Sequence, residues 1–156
     1  MEKYYSQEQP TQIVESRFYR IIAFNVYLVE EEEIQSLWDD MTSKSEEEFP
    51  KYPDDYFKEL HKYGYYQVQV PMGQWTYEGI VNAIIRDKYS IDAMEAITNN
   101  MAAINAVFMQ TLVSEGIVAA TKYLKDSIND ENTANFKEMQ EWRKMAKEVA
   151  KSIIKQ

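Results

Sequence analysis

Two rhythms of hydrophobic position run along this chain, a period of two in its first half and a helical period in its second. Residues 17–29 (RFYRIIAFNVYLV) set Phe18, Ile22, Phe24, Val26 and Leu28 on one parity and Tyr19, Ile21, Ala23, Tyr27 and Val29 on the other. Aromatic and β-branched groups on both parities predict a long strand covered on both faces, or covered by core on one face and by a partner subunit on the other. Tyr66, Val68 and Val70 alternate with Gln67 and Gln69, the pattern of a second strand with one wet face, and its expected neighbour is the first. Pro71 has no amide hydrogen to give the ladder, so the strand ends there and turns through Met72 and Gly73.

Between the strands the pattern is helical but interrupted. Glu30 to Glu33 precede Ile34, Leu37, Trp38 and Met41 at helical spacing, which predicts a short helix with acids in its favourable first turn. Residues 42–53 (TSKSEEEFPKYP) contain two prolines and read as a loop. Asp54 or Asp55 can cap a helix through about Lys62, with Tyr56, Phe57 and Leu60 as its apolar side and Gly64 as its stop. Residues 1–15 read as a loose polar arm whose bulky groups are Tyr4 and Tyr5.

From Thr76 onward every segment predicts helix. Thr76 caps a helix that aligns Tyr77, Ile80, Val81, Ile84 and Ile85, and Ser90 caps the next. In that second helix Met94, Ile97, Met101, Ile104 and Phe108 form a narrow heptad-like seam, facing either the core or another subunit. Gly116 can break or bend the helix before Val118, Tyr123, Leu124 and Ile128. Residues 129–133 (NDENT) make a further break, with Asn132 or Thr133 as cap of a last helix. Its stripe runs through Phe136, Met139, Trp142 or Arg143, Ala146, Val149 or Ala150, and Ile153, flanked by the pairs Lys137/Glu141 and Lys144/Glu148. The expected fold class is α+β, a two-stranded antiparallel sheet from about 17–29 and 65–71 with a predominantly helical remainder. One domain over 1–156 is expected, with a loose arm at 1–15, an acidic insertion at 30–62 and a helical part at 76–156.

Charge adds location to this outline. Residues 30–59 hold twelve acids against three lysines and so contain the entire net charge of −9, while the rest of the chain is balanced. No continuous basic track exists for nucleic acid. The last helix reverses the sign through Lys137, Arg143, Lys144, Lys147, Lys151 and Lys155, so acidic segment and basic tail can attract one another, attract copies, or stand as two solvated faces. Nine aromatic residues fall between Phe49 and Tyr77, enough for half of a core or for an adhesive surface. Candidate contact residues are Trp38, Phe49, Tyr52 and Tyr56 in and beside the acidic segment, Met101, Ile104 and Phe108 on the seam, and Trp142 on the last helix.

Reactive chemistry is sparse. The chain has no cysteine and one histidine, His61, which stands among Leu60, Lys62 and Tyr63 without a triad-like motif. Its four glycines cannot spell a P-loop or a dinucleotide fingerprint. The acidic run lacks EF-hand spacing, although a carboxylate-only magnesium or calcium site built by tertiary contacts stays compatible with it. The expectation is a non-enzyme with no catalytic residue, no cofactor and no metal, binding neither nucleic acid, membrane nor small molecule. No apolar run of signal-peptide or membrane-span length is visible, so a soluble, unsecreted protein is expected.

Two stretches resemble a known group. WTYEGIVNAIIRDKYSIDAMEAITNN (75–100) and NFKEMQEWRKMAKEVAKSI (135–153) are similar to small proteins of bacteriophage and prophage tail or virion gene clusters. Trp75, Tyr77, Lys88, Tyr89, Ser90, Met94, Glu95, Ala96, Ile97, Asn99, Asn100, Phe136, Gln140, Trp142 and Arg143 carry the resemblance, which covers about half of the chain. The acidic segment and the helical stretch Met101 to Ile128 depart from it by length. The resemblance implies a phage-like structural or assembly protein, in the virion or host cytoplasm. Its partners would be other protein chains, either copies of itself or other phage structural proteins. A monomeric acidic binding module or inhibitor that docks on a basic host protein is the alternative.

Overall fold

The computed structural model describes residues 1–45, 47–128 and 130–155. Where the sequence suggests one domain, contacts cluster into two compact units, Met1–Trp75 and Thr76–Gln156.

The first unit is built on strands β1 (Lys3–Ser6), β2 (Ile13–Glu15), β3 (Tyr19–Leu28) and β4 (Tyr63–Pro71), with helices α1 (Glu31–Ser43) and α2 (Asp55–Leu60). The sheet has four strands in the order β1-β4-β3-β2, every pair antiparallel, rather than the two expected. β3 and β4 are the expected central pair. The extra strands come from the supposed loose arm, where Tyr4 and Tyr5 pair with Tyr65 and Gly64, and Ile13 and Val14 with Ile22 and Ile21. A central pair leaves a row of unpaired amides and carbonyls along each outer edge, and the arm satisfies both.

One residue is out of step in this sheet. Phe24 faces Tyr66, but the next paired residue of β3 is Tyr27, which faces Gly64, so β3 spends three positions where β4 spends two. Asn25 absorbs the extra residue at φ 50°, a left-handed conformation that asparagine tolerates better than most residues. Side chains alternate along a strand, so a slip of one moves Tyr27 off the parity of Ile21 and Ala23. It joins the face of Ile22 and Phe24. Gly64 is the complement of that move. It is a strand residue instead of a helix stop, and a Cβ on it would lie 2.5 Å from Tyr27 Cζ and 2.7 Å from the Tyr27 hydroxyl oxygen.

The second unit consists of α3 (Tyr77–Lys88), α4 (Ile91–Glu115), α5 (Ile117–Ile128) and α6 (Glu131–Ile154). Thr76 and Ser90 cap α3 and α4 as expected, accepting from the amides of Gly79 and Ala93. For α6 the cap is Asp130, which accepts from the Asn132 amide at 2.7 Å. Thr133 is instead buried and donates its hydroxyl to the Ser127 carbonyl at 2.8 Å. Ile80, Val81, Ile84 and Ile85 of α3 are buried, as are Met139, Ala146, Ala150 and Ile153 of α6, and these two helices pack together. α4 packs on α5 and α6. Gly116 stops α4 at φ 86°, ψ 178°, a backbone state essentially restricted to glycine.

The close approach at Gly64 sets a stability test. Alanine in a strand normally outperforms glycine by about 0.5–1 kcal/mol, but here its methyl meets the Tyr27 ring. Gly64→Ala should therefore cost about 1–3 kcal/mol in urea unfolding. Most of that cost should vanish in a Tyr27→Ala background; equal losses in both backgrounds would contradict the contact.

Candidate interaction surfaces

In the first unit the register slip creates a polar knot. Lys3 and Tyr5 on β1 and Tyr27 on β3 share one face of the sheet, and all three donate to Glu33 Oε1 from the first turn of α1, at 2.9, 2.8 and 2.8 Å. Partial burial pushes the Glu33 carboxyl up, but the Lys3 ammonium and the hydroxyls of Tyr27 and Tyr5 outweigh it and hold the group below its ordinary range. Burial, followed by the neighbouring carboxylate, pushes Tyr5 up to about 12 and Tyr27 in the same direction. Lys3 is raised chiefly by its hydrogen bond to Glu33. One glutamate thus fastens the start of α1 to two strands.

Beyond the knot runs a chain of rings. Tyr5 lies 5.4 Å from His61, His61 stacks on Phe57 at 4.1 Å, and Phe57 meets Trp38 edge-on at 5.0 Å. Trp38 in turn meets Phe49 edge-on at 5.8 Å and donates its indole N–H to the Pro50 carbonyl at 2.8 Å. Such pairs contribute about 0.5–1.5 kcal/mol each beyond their area. Trp38, expected as a contact residue, is 5% exposed and spent on the interior of its unit. Phe49 is partly exposed beside it, while Tyr52 and Tyr56 are 64% and 70% exposed and free to meet a partner. Tyr52 lines an open groove of about 510 Å³ with Glu31, Glu32, Ile34, Pro53 and Lys58. Among the described residues Glu31 and Glu32 make no ion pair.

In the second unit Lys88 of α3 and Trp142 of α6 meet where the two helices pack. Lys88 reaches Glu138 at 2.6 Å and stands 4.5 Å over the Trp142 ring, and Trp142 donates its indole N–H to the Ile84 carbonyl at 3.2 Å. Asn100 joins α4 to α6 through the Asn132 side chain at 2.9 Å. Trp142 is therefore half-buried glue between two helices of its own unit. Met101, Ile104 and Phe108 are half-buried too, so the seam of α4 faces the helices it packs on.

The exposed apolar groups missed by the periodicity lie off the seam, Val107, Met109 and Val113, then Ile117 past the Gly116 break; Val118, expected among the apolar positions of the next helix, is exposed too. A signal for them exists in the sequence, since residues 96–114 contain no charge at all. No helix among the described residues is long and apolar enough to cross a membrane. No cluster of three or more metal-ligating side chains occurs among them either. Comparison with family models, with curated proteins and with solved structures gives no match.

The knot predicts a pH profile. Glu33 is depressed below 4.5, so its contribution is present above that pH and lost as pH falls through the folded value. Tyr5 is raised from 10.0 towards about 12, so its contribution is present below 10.0 and lost as pH rises through that interval. Glu33→Gln should destabilise the chain by about 1–2 kcal/mol near neutrality, a value kept low because solvent screens the partly exposed Lys3. The deficit should shrink at both extremes. A deficit constant from acid to alkali in denaturant titrations would show that the carboxylate is not the acceptor.

Proposed function

We propose that the chain is a non-enzymatic structural or assembly protein that acts by contact with other protein chains. The single observation that carries this reading is α4: 25 residues long, rich in alanine, isoleucine and methionine, and without one buried residue. A unit rarely leaves the whole outer side of so long a helix, apolar and largely uncharged, open to water unless another chain covers it. The likeness of residues 75–100 and 135–153 to phage tail and virion proteins supports a phage-like assembly role, in a virion or the host cytoplasm. Small-angle scattering over a rising concentration series should give an apparent mass that climbs above that of one chain. A single-chain mass at every concentration would remove self-assembly from this reading.

A second reading draws on the groove at Tyr52, where the unpaired Glu31 and Glu32 flank apolar Ile34 and Pro53. That combination suits a basic, partly apolar segment of another protein. In this version Glu31→Gln with Glu32→Gln weakens capture of a basic partner several-fold at low salt and less at high salt. Glu33 is left in place, because its removal disturbs the fold itself. An affinity unaffected by the double substitution disposes of the groove as a docking site.

A further inference from the structure

Helix α4 is the element its own unit uses least. It is about 37 Å long by the helical rise, and its half-buried positions follow the Met94 to Phe108 seam, leaving the remaining faces to solvent. Val113 and Val118, on either side of the Gly116 break, are 84% and 82% exposed. Ala102, Ala103 and Ala106 stand exposed between the larger groups, and residues 96–114 carry no charge.

We infer that this face is the contact between two copies of the chain, with α4 crossing α4 of a second copy about a two-fold axis. The inference rests on the assembly reading above and names its partner and surface. Charge selects the occupant. A chain of net charge −9 repels its copies, and a two-fold contact sets each patch against itself, so a patch dominated by one sign meets its like. The acidic segment 30–59 is thereby excluded from such a contact. The stretch 96–114 carries no penalty of this kind; Asp92 and Glu95 lie at the N-terminal end of α4, away from an axis at its middle, and the stretch offers a strongly basic or acidic partner nothing to recognise.

Area and shape agree with that occupant. A helix of this length and about 11 Å width presents roughly 400 Å² on one side, and the start of α5 adds roughly half as much. Two copies would then bury roughly 1,200 Å² together, the lower edge of stable specific interfaces. Alanines in the middle of the face let the helix axes approach at the near end of the usual range of about 8–10 Å.

The test uses the full chain in sedimentation equilibrium. Ala106→Glu and Val113→Lys should each raise the dimer dissociation constant by at least about tenfold, with helix content unchanged by circular dichroism. Disruption by charges of both signs identifies a face that must be desolvated. Glu31→Gln with Glu32→Gln should leave the dimer intact. Because the chain has no cysteine, Ala102→Cys and Ala106→Cys supply single thiols that should oxidise to a disulfide-linked dimer, while Ser43→Cys on α1 should not; this arm decides the matter if a charged variant fails to fold. A dimer that survives both charge substitutions and cross-links no better through α4 overturns the inference while leaving an assembly role standing. A wild-type chain that stays monomeric overturns the inference and removes self-assembly from the assembly reading, which then stands on contact with other protein chains. A monomer that pellets with phosphatidylcholine vesicles, and loses this in Val113→Lys, assigns the face to a bilayer and overturns the contact between copies.

Discussion

The register slip at Asn25 is the constraint on which the first unit depends, because it decides the side of the sheet on which Tyr27 stands. Without the extra residue, Tyr27 would share a parity with Ile21 and Ala23, and its hydroxyl would point away from Glu33. With it, Tyr27 crosses to the face of Lys3 and Tyr5, and three donors converge on one carboxylate oxygen. Gly64 is the price of the arrangement, since only a residue without Cβ lets the Tyr27 ring lie over β4. The knot also explains why the arm is ordered. Lys3 and Tyr5 reach Glu33 only if β1 is zipped to β4, so the ion pair and the edge strand stabilise each other.

This cooperation marks the limit of what was legible in the sequence. The central strands, the caps at Thr76 and Ser90, the acid-led start of α1 and the break at Gly116 were readable because each is a local decision, made by residues within a turn of one another. β1 and β2 were not. Strands of four and three residues have too few positions to show alternation, and their partners lie far away in sequence. Gly64 misleads for a related reason: after a helical stretch a glycine means termination locally, whereas its role here depends on a ring some forty residues earlier. The asparagine at position 25 gave no warning, since a bulge leaves the hydrophobic pattern of a strand covered on both faces unchanged.

The candidate contact residues divide along the same line. Trp38 and Trp142 are large rings, and a large ring serves an interior as readily as an interface; a nearby carbonyl decides between them. Pro50 offers one to the Trp38 indole and Ile84 one to Trp142. Among the described residues Tyr52 and Tyr56 find no such anchor for their hydroxyls, and both remain outward. The acidic segment also separates once its carboxylates are followed singly. Glu33 is consumed by the fold and Asp54 by the cap of α2, while Glu31 and Glu32 are left at the groove. A charge run that looks uniform in sequence is thus part structure and part surface.

The second unit poses the complementary problem, too much apolar helix for the interior available. Among the described residues α3 and α6 supply four buried apolar side chains each and α5 adds Ala120, while α4 is left to lean on α5 and α6 with no residue fully withdrawn from water. Dispersing charge along α4 would have been the simplest way to keep such a helix soluble. The chain instead concentrates its excess charge in residues 30–59 and keeps 96–114 neutral. Net repulsion then opposes indiscriminate association of the whole molecule, while the neutral stretch stays able to associate once it is correctly opposed. That division of labour, repulsion in one unit and an uncharged face in the other, makes encounters selective without any complementary pair of charges. It is the physical reason to look for the function of this chain on α4 rather than in its groove or its aromatic array.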